Sequence, residues 1–576
     1  MNFTRREMLA YGAAAGATTL LVPSSAWAAQ AAQAAAAPVA GRLRAFAEAV
    51  LAANGFPGVS IAFVGPGGVS SAFAAGLADL DRGTAAAPGQ LFQIGSITKS
   101  LTAMAIFALV GRGRLDLAAT VQGLLPEVPL PPEPITVTHL LEHSSGLPNS
   151  LEQTPFLDVP GGRLWSGFAP GSRYSYCNLG YTLLGMIIER ASGMPFPQAL
   201  RSLVLQPIGM AGARPVIRLG DRGAYATGHV RFREDIPWLP RARLTAARWL
   251  DVHTAAGSVA ASAGDMIHYL RRIVELGRGR GAPLFSDALA ERFRTPTIDS
   301  SNGPGARYGN GLATLAVAGH RCLRHTGGMI GFSSAITVDP EAGVGCYASV
   351  NVGGAGGYRP VEITEYGLLL LRAAAAGGAL PAAPEPQRGP AVEPARILGR
   401  WVGPGGRELI VAEAAGGLRV ASGGIERPLA AATENAFVTD HPLLEPYALV
   451  LEAGEVPLLR LGDQAFGRGE APAARVASPR LAALAGTYYS PGAWSSRLIV
   501  HAFGDRLLVD GNVVTEAADG SWRFSEPARL GERIWFEDVA GGRPQNLNLS
   551  GTRFSRLPEI AAAQTRRSRR ESPPSA

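Results

Sequence analysis

The chain has 576 residues, enough at roughly 150 per domain for three or four folding units, so a single small module is excluded. Apolar residues make up 47% and charged residues only 17%, with 72 glycines and 43 prolines, a balance that reads as globular and loop-rich rather than disordered. The net charge of +7 is largely terminal: Arg5, Arg6 and Glu7 at one end, and Arg566, Arg567, Arg569, Arg570 and Glu571 at the other, leave only about +3 over the body, too little to mark a nucleic-acid surface. Three cysteines, Cys177, Cys322 and Cys346, form neither a disulfide framework nor a C-x-x-C pair.

In chain order, Arg5 and Arg6 precede a mildly apolar stretch, and Ala26-Trp27-Ala28 has the small-x-small pattern of a signal-peptidase site. Residues 1–28 are therefore expected to be a twin-arginine export signal, cut after Ala28, with a periplasmic or secreted mature chain. No later stretch reaches 18 uncharged apolar residues, so no membrane span is expected after signal removal. Apolar residues at helical spacing predict a helix over 38–53, and runs 59–64 and 69–74, joined by Pro66, Gly67 and Gly68, predict a hairpin. Helical patterns dominate from Ile97 to about Leu205, strands return over 333–338 and 345–352, and a helix over 361–376 follows. Strands at both ends of one region with helices between imply an α+β domain whose late strands complete a sheet begun early.

A Pro/Ala-rich linker is expected over 381–395, after a domain spanning 38–380. The next part repeats itself. Leu398–Trp401 recurs as Ala485–Tyr488, Leu409–Val411 as Leu498–Val500, and the pattern L-x-L-x-x-x-x-F-x-R appears at Leu459–Arg468 and Leu547–Arg556. Two copies with short alternating strands predict two related small all-β barrels, over 396–475 and 480–560, before a basic disordered tail over 561–576.

Lys99 is the single lysine in the chain. Arginine replaces lysine as a surface cation but stays protonated at ordinary pH, whereas an ammonium can lose its proton when buried, so a lone lysine marks a place where a neutral amine is needed. Ser96 precedes it by three residues, a spacing that puts hydroxyl and amine on one helical face. There the amine can take the hydroxyl proton, and the helix N-terminus can stabilise the oxyanion that forms.

The run around Ser96 and Lys99 resembles the first motif of the serine β-lactamase and penicillin-binding superfamily, in the branch with class C β-lactamases, D-aminopeptidases and related esterases. Tyr176-Cys177-Asn178 is similar to that family's Y-x-N motif, and His325, Thr326, Gly327 and Gly328 resemble its K-T-G or H-T-G motif, in the required order. His143–Pro148 and Ala263–Met266 match less chemical stretches, and the likeness covers about Arg42 to Ala376. It implies a β-lactamase/transpeptidase-like domain, a mainly antiparallel sheet flanked by helices with a helical region beside it, ahead of the two barrels. It also implies roles: Ser96 as acylated nucleophile, Lys99 as its proton acceptor, Tyr176 as proton relay if nearby cations lower its pKa, and Asn178 orienting Lys99 and the substrate amide. The N–H groups of Ser96 and Gly328 would form the oxyanion hole.

Histidine at 325 departs from the lysine form of the third motif. With an ordinary pKa near 6.5 it is mostly neutral at pH 7.5 and holds a penicillin-like carboxylate less well, and the resemblance places H-T-G among esterases and D-aminopeptidases. Cys177 reads as a small buried thiol without a catalytic role. His139, Glu142 and His143 fit the H-x-x-E-H zinc-peptidase pattern, but the segment ends almost at once in Ser144–Pro148. The expectation is an exported serine hydrolase acting on a small peptide, amide or ester, with no metal and no cofactor. D-aminopeptidase, D-Ala-D-Ala carboxypeptidase and esterase activities are favoured over β-lactamase, and cell-wall peptides are among the candidate substrates. The alternative is a weakly catalytic or non-catalytic penicillin-binding or sensing protein.

Overall fold

A computed structural model describes residues 24–558, apart from 150–161, 233–237, 240, 355–357, 388–391, 415–416, 446, 453, 455 and 493–496. The paired arginines of the expected signal, the middle of the expected linker and the basic tail lie outside the described residues.

The hairpin read in the sequence is β1 (Gly58–Val64) and β2 (Ser70–Asp79), joined over Pro66–Gly68. Every residue of β1 is buried, so the strand must be covered on both faces. With β3 (Thr84–Ala85), β4 (Ile298–Asp299), β5 (Arg307–Gly309), β6 (Leu312–Val317), β7 (His320–Met329), β8 (Phe332–Asp339) and β9 (Val344–Val350) it forms one sheet in the order β3-β2-β1-β9-β8-β7-β6-β5-β4. All its ladders are antiparallel, and the early hairpin joins the late strands where Val59 faces Val350, as the α+β reading expects.

Helices fill both faces. On one, α1 (Ser24–Asn54) and a late helix over Val361–Ala375 enclose a core with β1 and β9. The sequence predicts the first helix only from Pro38, but α1 runs through that proline. Its apolar stripe of Ala36, Val39, Leu43, Phe46 and Val50 already begins before it, and burial of these residues outweighs the ~3 kcal/mol of an interior proline. On the other face, α2 (Thr98–Gly111), α3 (Asn178–Ser192) and α4 (Ala263–Gly277) build a larger core against β8 and β9. The site lies where α2 begins, between the helical region and β7.

Two β domains follow, each with its own core. The first is a nine-stranded sheet whose end strands, Ile425–Pro428 and Ala430–Ala431, are separated by Leu429 alone, so the sheet curls round on itself. The second is a closed eight-stranded barrel over 486–556. The sequence repeats fall on equivalent strands: Trp401 pairs with Arg468 in the first, Tyr488 with Arg556 in the second, and each arginine lies over its aromatic partner, at 4.6 and 5.5 Å from the ring centroid. Trp401 Nε1 and Tyr488 OH each donate to the carbonyl four residues back, Ile397 O and Leu484 O, both at 2.8 Å.

Candidate active site

Ser96 lies in a 3-10 turn, Gly95–Ile97, that runs directly into α2. Gly95 makes the turn with φ +55°, and a Cβ there would stand 2.7 Å from Gly328 N. Only glycine lets the nucleophile's loop lie this close to β7, which sets the backbone beside Ser96 against Gly328.

Lys99 follows one turn after Ser96, as the second residue of α2, and is fully buried. Its Nζ lies 3.1 Å from Ser96 Oγ, 2.7 Å from Asn178 Oδ1 and 2.8 Å from Ala256 O. Among the described residues it has no carboxylate partner. Burial therefore drives its pKa well below the usual lysine value, because leaving an unpaired ammonium in the interior costs several kcal/mol. A neutral amine fits the three contacts: its two N–H groups reach Asn178 Oδ1 and Ala256 O, and its lone pair faces the Ser96 hydroxyl. The rings of Tyr176 and Tyr181, with centroids 4.8 and 5.4 Å from Nζ, favour the ammonium that forms when the proton arrives, by about 0.5–2 kcal/mol.

Tyr176 OH donates to Ser96 Oγ at 2.7 Å. Burial pushes its phenol up, and Arg359 opposes that shift without reversing it. The cation-lowered phenol that the sequence reading made a condition of the relay is thus not found in the resting site, where Tyr176 is a hydrogen-bond donor to Ser96. Cys177, between Tyr176 and Asn178, is the N-cap of α3: its Sγ accepts from Gly180 N, and burial pushes the thiol up to about 12.

His325 is 7% exposed on β7. Its Nδ1–H donates to Thr326 O at 2.7 Å, so Nε2 accepts from Tyr308 OH at 2.9 Å. Burial above all lowers its pKa to about 3, a shift to which Lys99 adds only in its protonated form, so the imidazole is neutral throughout the physiological range. Thr326, Gly327 and Gly328 continue along the same strand. The structure thus gathers Ser96, Lys99, Tyr176 and Asn178 into one hydrogen-bonded set and lays 325–328 along its side.

Sequence reasoning missed four contributors. Tyr308 fixes the His325 tautomer, and Ala256 contributes only a carbonyl, which leaves no side-chain signal. Tyr181 lies three residues beyond Asn178 on α3, so helical spacing could have found it. Asn149 accepts from both Asn178 N and Asn178 Nδ2, at 2.9 and 2.8 Å, and directly follows the matched His143–Pro148 stretch. The H-x-x-E-H residues go to separate partners: His139 Nδ1 accepts from Thr136 N, Glu142 bonds Thr297, and His143 Nδ1 accepts from Cys177 N. His143 is a buried ring among tyrosines, with its centroid 4.3 Å from Tyr176 and 4.9 Å from Tyr308.

A serine hydroxyl 3.1 Å from a buried lysine amine, on an antiparallel sheet with helices on both faces, is the arrangement of an acyl-transfer serine hydrolase. Residues 43–370, more than half of the chain, match the Beta-lactamase family model, and the chain belongs to that family. It is 32% identical over 311 residues to esterase EstB of Burkholderia gladioli, a match covering 45% of this chain and 77% of the esterase. It is 29% identical over 307 residues to a D-aminopeptidase of Gluconobacter oxydans (strain 621H), covering 51% of this chain but only 55% of that protein. Its fold resembles the octameric penicillin-binding protein homologue from Pyrococcus abyssi, with a TM-score of 0.53 and 24% identity over 74% of this chain and 99% of the other.

Proposed function

We propose that the enzyme cleaves a small amide, peptide or ester through an acyl-enzyme on Ser96, with ester and D-amino-acid amide or peptide substrates favoured over β-lactams. One observation carries the reading: a buried Lys99 Nζ 3.1 Å from Ser96 Oγ, with no carboxylate partner among the described residues, so that burial favours the neutral amine. Ser96 Oγ attacks the carbonyl carbon and its proton passes to Lys99, while the carbonyl electrons move onto an oxygen that the N–H groups of Ser96 and Gly328 can receive. Collapse breaks the bond to the leaving group, which takes up the proton by way of the Tyr176 hydroxyl. Water then attacks the acyl-enzyme ester and gives a proton to the Tyr176–Lys99 pair, the bond from the acyl carbon to Ser96 Oγ breaks to release the acid, and the pair returns a proton to Oγ, restoring the hydroxyl.

The neutral His325 supports the substrate ranking. A β-lactam or a free peptide C-terminus presents a carboxylate, and an imidazole with pKa about 3 offers it no charge. Cell-wall peptides ending in a carboxylate rank below amides and esters for the same reason. Arg5 and Arg6 ahead of an apolar stretch support export by the twin-arginine route, with a mature chain starting at Ala29. Among the described residues no helix is long and apolar enough to cross a membrane.

The test is a rate comparison on p-nitrophenyl acetate, D-alanine amide, a D-Ala-D-Ala peptide and a chromogenic cephalosporin. Turnover of the first two should exceed that of the last two, and a burst on the cephalosporin without turnover of any substrate would favour the penicillin-binding or sensing reading. Fluorophosphonate labelling should vanish in Ser96→Ala. Unimpaired turnover by that variant would sink the serine mechanism.

A further inference from the structure

The orientation of Asn178 decides whether Lys99 finds an acceptor or a donor beside it. An amide side chain can rotate by half a turn, which would swap Oδ1 for Nδ2 and face one N–H with another. Asn149 prevents this, because its Oδ1 accepts from both Asn178 N and Asn178 Nδ2 and would repel an Oδ1 turned toward it. Asn149 is in turn held by its own N–H, which donates to Glu532 Oε1 at 2.8 Å. Glu532 belongs to the second barrel, 383 residues further along the chain, in the connection from strand Trp522–Phe524 to strand Arg533–Ala540.

That connection is built to stay docked. Trp165 Nε1 donates to Gly531 O at 2.8 Å, the Trp165 ring meets Trp535 edge-on at 5.1 Å, and the Arg533 guanidinium lies 4.8 Å from the Trp165 ring centroid. Backbone touches backbone: a Cβ on Gly167 would lie 2.1 Å from Leu530 O, and one on Gly531 would lie 2.6 Å from Leu147 O. Glu532 itself is only 8% exposed, so its acceptor is shielded from competing water.

We propose that Glu532 is a positioning residue for the hydrolase reaction, acting from the second barrel through Asn149 and Asn178 to hold the Lys99 amine on Ser96. The inference rests on the reading of Ser96 and Lys99 as nucleophile and base. Without the anchor, Asn149 drifts and Asn178 no longer presents Oδ1 to Lys99. The amine then keeps its place in α2 but loses a fixed direction for its lone pair. Because Oδ1 also favours the ammonium, its loss lowers the Lys99 pKa further.

The experiment measures kcat and KM on a p-nitrophenyl ester from pH 5 to 10, in the full chain, for wild type, Glu532→Ala, Glu532→Gln, Asn149→Ala and the double alanine variant. Glu532→Ala should lower kcat about tenfold with KM within twofold, and move the acid limb of kcat/KM down by about half a pH unit or more. Glu532→Gln keeps an acceptor and should bring kcat back to within about threefold of wild type. The double variant should be no worse than Asn149→Ala alone, since both residues act along one path. An unchanged kcat and acid limb in Glu532→Ala, an equal loss in Glu532→Gln, or additive losses in the double would each overturn the proposal. If Glu532→Ala does not fold, Asn149→Ala decides it, because a normal acid limb there breaks the path. Failure of the relay leaves Ser96 labelling intact in wild type, whereas failure of the serine mechanism removes the Ser96 dependence itself.

Discussion

The two β domains, a curled nine-stranded sheet and a closed eight-stranded barrel, share an aromatic–arginine clasp and differ in where one equivalent connection reaches. In the first, the connection after strand Ala436–Val438 bonds its own domain at His441, whose Nδ1 accepts from Leu443 N at 3.2 Å and whose other ring nitrogen lies 3.1 Å from Ile425 O, and it touches the second β domain through Tyr447 rather than the catalytic domain. In the second, the connection before Arg533 turns outward and hydrogen-bonds the catalytic domain at Asn149 and Trp165. The aromatic–arginine clasp, meanwhile, is the same in both. The contact with Asn149 and Trp165, by contrast, belongs to the second domain alone among the described residues. The domains also bind each other, with Glu452 of the first meeting Arg506 of the second at 2.8 Å and Tyr447 stacked edge-on against His501 at 4.8 Å. The first domain thus braces the second, which reaches the site.

The floor for this contrast is set by Lys99→Arg. An arginine cannot accept a proton, so acylation should fall by roughly 10²–10⁴, and the melting temperature should fall too, because the guanidinium is an unpaired charge in a buried place, measured by burst kinetics and calorimetry; normal acylation would leave nothing for the barrel to position. Next in size, Trp165→Ala should cost about 3 kcal/mol by denaturant unfolding, since it empties the seat of the outward connection, and should lower kcat as Glu532→Ala does. If kcat is untouched, docking and catalysis are unconnected. Arg468→Ala and Arg556→Ala remove the same clasp and should each cost about 1–3 kcal/mol, equal to within about 1 kcal/mol, with kcat falling only for Arg556. Unequal costs would mean that the likeness of the two clasps is superficial.

The smallest effect is in pH. Burial pushes the Glu532 carboxyl up from 4.5, so its folded form holds a proton that the unfolded chain releases, and the stability it contributes is full below pH 4.5 and lost as pH rises through the folded value. Glu452 runs the other way: burial pushes it up, but hydrogen bonds and charge from Arg506 and Arg460 hold it below 4.5, so its contribution is present above 4.5 and lost as pH falls. Melting temperatures against pH for Glu532→Gln and Glu452→Gln should therefore differ from wild type with opposite slopes.

Much of the site was legible because its residues are close in sequence or matched in order. Ser96 and Lys99 sit one helical turn apart, and the rarity of lysine singled out the amine. The barrels showed themselves by period, since Trp401 and Tyr488, and Arg468 and Arg556, do the same physical work twice. What stayed hidden acts across long separations or through the backbone. The Ala256 carbonyl has no residue signature, Tyr308 matters only because β5 lies two strands from β7, and Glu532 meets Asn149 only after an entire domain has folded between them. The state of Tyr176 was hidden for another reason: its pKa depends on burial, which a motif does not encode. Pro38 misled for the opposite reason, since a local breaker signal lost to an apolar stripe that crosses it.

A protein with one lysine has one ε-amino group, and here that group is the proposed base. Isotopic enrichment of lysine nitrogen would place a single side-chain resonance in the spectrum of a 576-residue enzyme. Its chemical shift across a titration would read out directly, without assignment and without substrate, the protonation state on which turnover depends.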